Sequence, residues 1–145
     1  MFASTEGGIL DSSREKLNPT TPINGTVSIG LLDDDPSVLK GIGRLLSSAG
    51  WKVESFTDPH AFLGYARAHQ PPVAVIDIRM PVMDGLEVQK RLREVSQSTR
   101  VVVLTSKDDP AIRAKAISAG ASGFFLKAVD DEEFLAGVRS AFNGN

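Results

Sequence analysis

The chain holds 145 residues, 41% of them hydrophobic, and its 16 basic and 18 acidic side chains leave a formal net charge of −2. That is a single domain's length with enough apolar residues for a core, and its charge provides no basic footprint for nucleic acid. There is no cysteine, which excludes a disulfide framework and thiol chemistry and suits a cytoplasmic protein, and no apolar run approaches the ~20 residues of a membrane-spanning helix.

Residues 1–25 are expected to form a flexible tail, with the folded domain at 26–145. The opening "MFASTEGGILDSSREK" has neither the basic start nor the apolar stretch of a secretory signal. "NPTTPINGT" (18–26) is rich in Pro, Thr, Asn and Gly and shows no periodicity.

From Val27 onward the chain alternates between two patterns. Apolar runs of strand length occur at "VSIGLL" (27–32), "VAVI" (73–76), "VVVL" (101–104) and "GFFL" (123–126). Near-continuous Val, Ile and Leu predict burial on both faces of a parallel sheet. The weaker alternating run "WKVESF" (51–56) predicts an edge strand, with Trp51 starting it and partly buried. Between the runs lie stripes of helical spacing. They comprise Val38, Ile42, Leu45, Leu46 and Ala49; Ala61, Phe62, Tyr65 and Ala66; Leu86, Val88, Leu92 and Val95; Ile112, Ala116 and Ile117; and Phe134, Leu135, Val138, Ala141 and Phe142.

The helix starts are marked consistently. Asp35-Pro36, Asp58-Pro59 and Asp109-Pro110 each set an N-cap aspartate before a proline at the first helical position. Asp84 with Glu87 and Asp130 with Glu133 have the spacing of capping boxes. Gly50 and Gly120 follow helices, where a left-handed C-cap is cheap for glycine. His60 and His69 fall on the second helix as surface residues, and Gly41 and Gly43 lie inside the first helix rather than in a phosphate-binding loop. Five βα units in series predict a doubly wound α/β domain with right-handed crossovers and helices on both faces of the sheet.

In such sheets, sites form at the carboxyl ends of the strands. Those ends carry Asp33 and Asp34, Asp77, Thr105 with Ser106, and Lys127. Asp35 is accounted for as a helix cap, whereas Asp33 and Asp34 are not. If strands 1 and 3 are neighbours, three carboxylates share one pocket. Each like-charge pair at ~4 Å costs about 4 kcal/mol at an effective dielectric of 20, against a domain stability of ~5–15 kcal/mol. Counter-charge is required. Lys127 supplies one positive charge, and a divalent cation held by oxygen ligands alone, for which Mg²⁺ is favoured over zinc, supplies two. A cation, a lysine, the Thr105 hydroxyl and a spare carboxylate make a phosphoryl-transfer site. Asp77, directly after a fully apolar central strand, is the best nucleophile, with Asp34 a direct metal ligand and Asp33 a ligand through water.

"LLDDDP", "VIDIRMPVMDG", "VVVLTS" and "FFLK" occur in this order over about residues 27–142. Together they resemble the receiver domain of bacterial two-component response regulators, most of all the NarL/FixJ group. The resemblance implies a flavodoxin-like (βα)5 fold with strand order 2-1-3-4-5. It also implies phosphoryl transfer from a sensor histidine kinase to Asp77, with Mg²⁺ held by Asp33, Asp34, Asp77 and the backbone carbonyl of Arg79. Thr105 and Lys127 match the groups that bind the phosphoryl oxygens. Thr105 and Phe124 match the switch that carries the change to the face of helix 4, strand 5 and helix 5. A phosphorylation-dependent homodimer through that face is compatible with the pattern. The domain is then a phospho-acceptor rather than an enzyme, acting in the cytoplasm without contacting nucleic acid or membrane.

One departure from the family is that Lys127 is followed by Ala128 rather than proline. The expectation is a trans peptide there, a 128–130 loop displaced from the usual family path, and Lys127 still directed at Asp77. Two rival readings exist. "DDDPS" (33–37) also fits the D-x-D motif of haloacid-dehalogenase-type phosphatases, with Asp33 as nucleophile and Asp35 as acid/base, but that leaves "DIRMPVMDG" unexplained. A pseudo-receiver that only binds partners would not need the complete acidic set.

Overall fold

The computed structural model describes residues 28–144; the expected tail at 1–25 lies outside them. The order is β1 (Ser28–Leu32), α1 (Pro36–Ser48), β2 (Lys52–Phe56), α2 (Pro59–His69), β3 (Val73–Ile76), α3 (Gly85–Val95), β4 (Arg100–Thr105), α4 (Pro110–Ser118), β5 (Gly123–Leu126) and α5 (Asp131–Phe142). The five strands form one parallel sheet ordered β2-β1-β3-β4-β5. This is the flavodoxin-like arrangement expected from the sequence, with β2 at one edge.

Alternation along the strands sends side chains into two separate cores. Val73, Val75, Val102 and Leu104 point to the α1/α5 side, where Leu46, Phe134 and Val138 meet them. Ala74, Ile76, Val101 and Val103 point to the α2/α3/α4 side, against Phe62, Val88, Leu92 and Ala116. β3 is therefore buried along its whole length, and its carboxyl end opens at the middle of the sheet.

The aspartate caps form as expected, but neither capping box closes: Asp130 accepts from the Glu132 and Glu133 N–H groups, and no bond returns from the Asp130 N–H to the Glu133 carboxylate. Asp35, Asp58, Asp84, Asp109 and Asp130 each accept from backbone N–H groups in the first turn of the following helix. Asp84 takes the Glu87 N–H at 3.0 Å, but the Glu87 carboxylate pairs with Arg91 Nε at 2.9 Å, one turn on, rather than completing a capping box. Gly50 and Gly120 adopt φ of 102° and 103° behind α1 and α4.

Two stripe residues and one strand residue fall differently from expectation. Ala61 is exposed because it sits over the Asp58 cap, and Leu63 is buried in its place. Ile117 is 49% exposed, since α4 buries only Ala116. Trp51 precedes β2 rather than starting it and is buried, stacked on Phe142 at 5.3 Å between ring centroids.

Candidate functional site

The first apolar strand ends at Leu32 and is followed by Asp33, which is buried, and Asp34, which is exposed. The Asp33 N–H still bonds to the Phe56 carbonyl at 3.1 Å, so the strand pairing holds this residue in place. One strand over, the Asp77 N–H donates to the Leu32 carbonyl at 3.0 Å. β1 and β3 are hydrogen-bonded neighbours, and their ends bring Asp33, Asp34 and Asp77 together. Each of the three offers a carboxylate oxygen, all within 4.8 Å of one another.

Lys127 reaches this group from the end of β5. Its N–H donates to the Thr105 carbonyl at 2.7 Å, which fixes the backbone beside the end of β4. Its Nζ lies 2.8 Å from Asp33 Oδ2 and 3.6 Å from Asp77 Oδ2. The described backbone contains no cis peptide, so Lys127-Ala128 is trans and the flexible lysine stem covers the distance, as expected. Thr105 is the last residue of β4 rather than the first after it, and it is buried at the same edge. Arg79 lies in the β3–α3 loop, its N–H donating to Asp77 Oδ1 at 3.3 Å and its side chain exposed.

The electrostatics follow from this packing. Burial is the largest influence raising the Asp77 pKa above 3.8, and the neighbouring Asp33 charge adds to it, with Lys127 working in the opposite direction. At Lys127, burial is the largest single influence and disfavours the charged form. The hydrogen bond to Asp33 and the charges of Asp77 and Asp33 together outweigh it, and the pKa rises above 10.5. One lysine serves two buried carboxylates and stands closer to Asp33, which leaves Asp77 the less compensated of the two.

Asp35 belongs to a different structure. Its Oδ1 accepts from the Ser37 N–H at 2.9 Å and the Ser37 hydroxyl at 2.8 Å. The bond from the Ser37 side chain is the main influence holding its pKa below 3.8. A carboxylate committed to a cap is not a general acid/base, and the phosphatase reading loses its second aspartate. His60 and His69 are exposed on α2, as expected.

Two features were not expected from the sequence. A Cβ on Gly85 would stand 2.4 Å from the Asp77 carbonyl oxygen and 2.7 Å from Ile78 Cα. The start of α3 is thus packed directly against the backbone of the central carboxylate, and the Gly85 N–H donates to the Ile78 carbonyl at 2.8 Å. The "DG" pair at 84–85 is the available signal, and its capping role accounts only for the aspartate. The second is Arg113, an α4 residue whose guanidinium lies over the Phe124 ring.

A doubly wound parallel sheet with an acidic, oxygen-only pocket and one lysine at its carboxyl edge defines the class of the domain. Comparison with known proteins gives the family. Residues 29–139 match the model of the response regulator receiver domain, and the chain belongs to that family. It is 36% identical over 113 residues to the response regulator protein TodT of Pseudomonas putida, an alignment covering 78% of this chain and 50% of that protein. The chain spans about half the length of the curated relatives it matches. Among solved structures, the signal receiver domain of the response regulator NarL from Mycobacterium tuberculosis is 36% identical with a TM-score of 0.74, covering 82% of this chain and 98% of that one. The chemotaxis protein CheY4 of Vibrio cholerae is 28% identical with a TM-score of 0.73, covering 79% and 98%. No described helix is long and apolar enough to cross a membrane.

Proposed function

We propose that this domain accepts a phosphoryl group on Asp77 from a phosphohistidine of a sensor kinase and releases it later by hydrolysis, as a switch rather than an enzyme. The observation that supports this best is the convergence of Asp33, Asp34 and Asp77 within 4.8 Å, with Lys127 at their edge. An Asp77 carboxylate oxygen attacks phosphorus, the P–N bond breaks, and its electron pair leaves on the imidazole nitrogen. An acyl phosphate results. Lys127 and the Thr105 hydroxyl bind the phosphoryl oxygens, and burial keeps bulk water from competing for them.

The donor set fits Mg²⁺. Its side-chain donors among the described residues are three carboxylates, with one exposed member that leaves room for retained water. Asp33, Asp34, Asp77 and the Arg79 carbonyl would hold the ion, which supplies charge neutralisation for the phosphoryl oxygens. Thr105 and Phe124 connect the site to the face of α4, β5 and α5, which controls an output or partner and on which a phosphorylation-dependent homodimer could form. The domain acts in the cytoplasm and has no direct contact with nucleic acid.

Intact-mass measurement after incubation with acetyl phosphate and MgCl₂ tests the assignment. One phosphoryl adduct is expected on the unmodified chain and none on Asp77→Asn. An adduct that persists in Asp77→Asn but disappears in Asp33→Asn would restore the phosphatase reading.

A further inference from the structure

Phe124 leaves β5 toward the α2/α3/α4 core and is 8% exposed. A charged side chain also lies over its ring. Arg113, one turn into α4, sets its guanidinium carbon 4.8 Å from the ring centroid. The same guanidinium lies 3.7 Å from Asp108 Oδ1, in the loop that leaves Thr105. One arginine thus touches both the aromatic on β5 and the segment that follows the hydroxyl on β4. An aliphatic residue at 113 would cover the ring equally well but could not bind the loop.

We propose that Arg113 is a positioning residue that latches the Phe124 ring in its buried conformer and ties that conformer to the Thr105–Asp108 loop. This rests on the reading of Phe124 as the group that changes conformer when Asp77 is modified. Stacking of a cation on an aromatic face favours the buried ring, and the ion pair orients the guanidinium for it. Movement of the loop toward a group on Asp77 pulls on the same guanidinium, so the ring and the loop change together. Both partners of the ion pair are about half exposed, so added salt weakens the tether.

The test uses the whole chain labelled with 4-fluorophenylalanine, the Phe124 resonance being assigned by Phe124→Leu. Its solvent isotope shift and linewidth are recorded for the parent, Arg113→Gln, Arg113→Lys and Asp108→Asn, each with and without beryllofluoride and MgCl₂. Before any addition, Arg113→Gln should shift the ratio of exposed to buried ring by about two- to fivefold. Arg113→Lys should restore part of that, and Asp108→Asn should give a smaller change in the same direction. Circular dichroism serves to confirm that each variant is folded. A Phe124 signal in Arg113→Gln indistinguishable from the parent's overturns the latch, even if beryllofluoride moves the ring. A ring that responds to Arg113→Gln but to beryllofluoride in no variant overturns the reading of Phe124 as the switch, and the coupling goes with it.

Discussion

At the scale of single residues, "DDD" at 33–35 holds three carboxylates in three environments. Asp33 is buried against Lys127, Asp34 is open to solvent, and Asp35 is a helix cap. Separable effects follow. Asp35→Ala should cost about 1 kcal/mol, the usual value of an N-cap, in urea denaturation, and should leave the Mg²⁺ affinity unchanged. Asp77 acts in the opposite sense. Its folded pKa is raised by burial and by Asp33, so the folded state binds that proton more tightly than the unfolded chain does. The sign of the linkage is then fixed: this group favours folding below pH 3.8 and progressively disfavours it as pH rises through the folded value. Asp77→Asn should therefore become more stable than the parent as pH rises from 4 to 7. Urea midpoints that stay parallel across that range would refute it.

The elements explain why these residues meet. β1, β3, β4 and β5, though not β2, each bring to their carboxyl ends a side chain of the site, and each following helix begins at an aspartate cap that turns the chain away from it. α3 has the tightest fit, because Gly85 lets its first turn approach the backbone of Asp77 and Ile78. Gly85→Ala places a methyl 2.4 Å from a carbonyl oxygen with only backbone around it. We expect a loss of about 1–3 kcal/mol, the usual cost of overpacking, together with a slower rate of phosphorylation by acetyl phosphate. A variant matched in stability but distant from the site, such as Val138→Ala on α5, should lose stability without that loss of rate. α3 also ties α4 in place through Gln89, whose side-chain amide donates to the Ala116 carbonyl at 2.9 Å. A polar residue on a buried helix face was invisible to an apolar stripe, which is why Gln89 was not anticipated.

At the scale of the molecule, the sheet gathers negative charge at one edge and, among the described residues, sets Lys127 against it. A divalent cation bound only by the folded state must stabilise it by mass action, by about 2.7 kcal/mol at one hundred times its Kd. Thermal unfolding should therefore shift upward with MgCl₂ but not with NaCl at equal ionic strength, and EDTA should reverse the shift. Asp34→Asn should reduce it strongly. A midpoint indifferent to MgCl₂ would mean that the three carboxylates do not hold an ion in the folded domain.

The sequence by itself determined the βα alternation, the aspartates that cap the helix starts and which charged side chains stand at the strand ends. These depend on local periodicity and on backbone groups a few residues apart, and both are written in consecutive letters. The motif order also revealed the family, and with it the strand order. Only the tertiary structure decided how the charges are shared. Lys127 sits nearer Asp33 than Asp77, contacts that join positions 94 and 50 residues apart. It likewise decided that Ile117 stays exposed, that Trp51 is buried against Phe142, and that Arg113 covers Phe124. Each of these depends on where one helix comes to rest over a sheet, and packing distances of that kind are not carried by any stretch of the chain read alone.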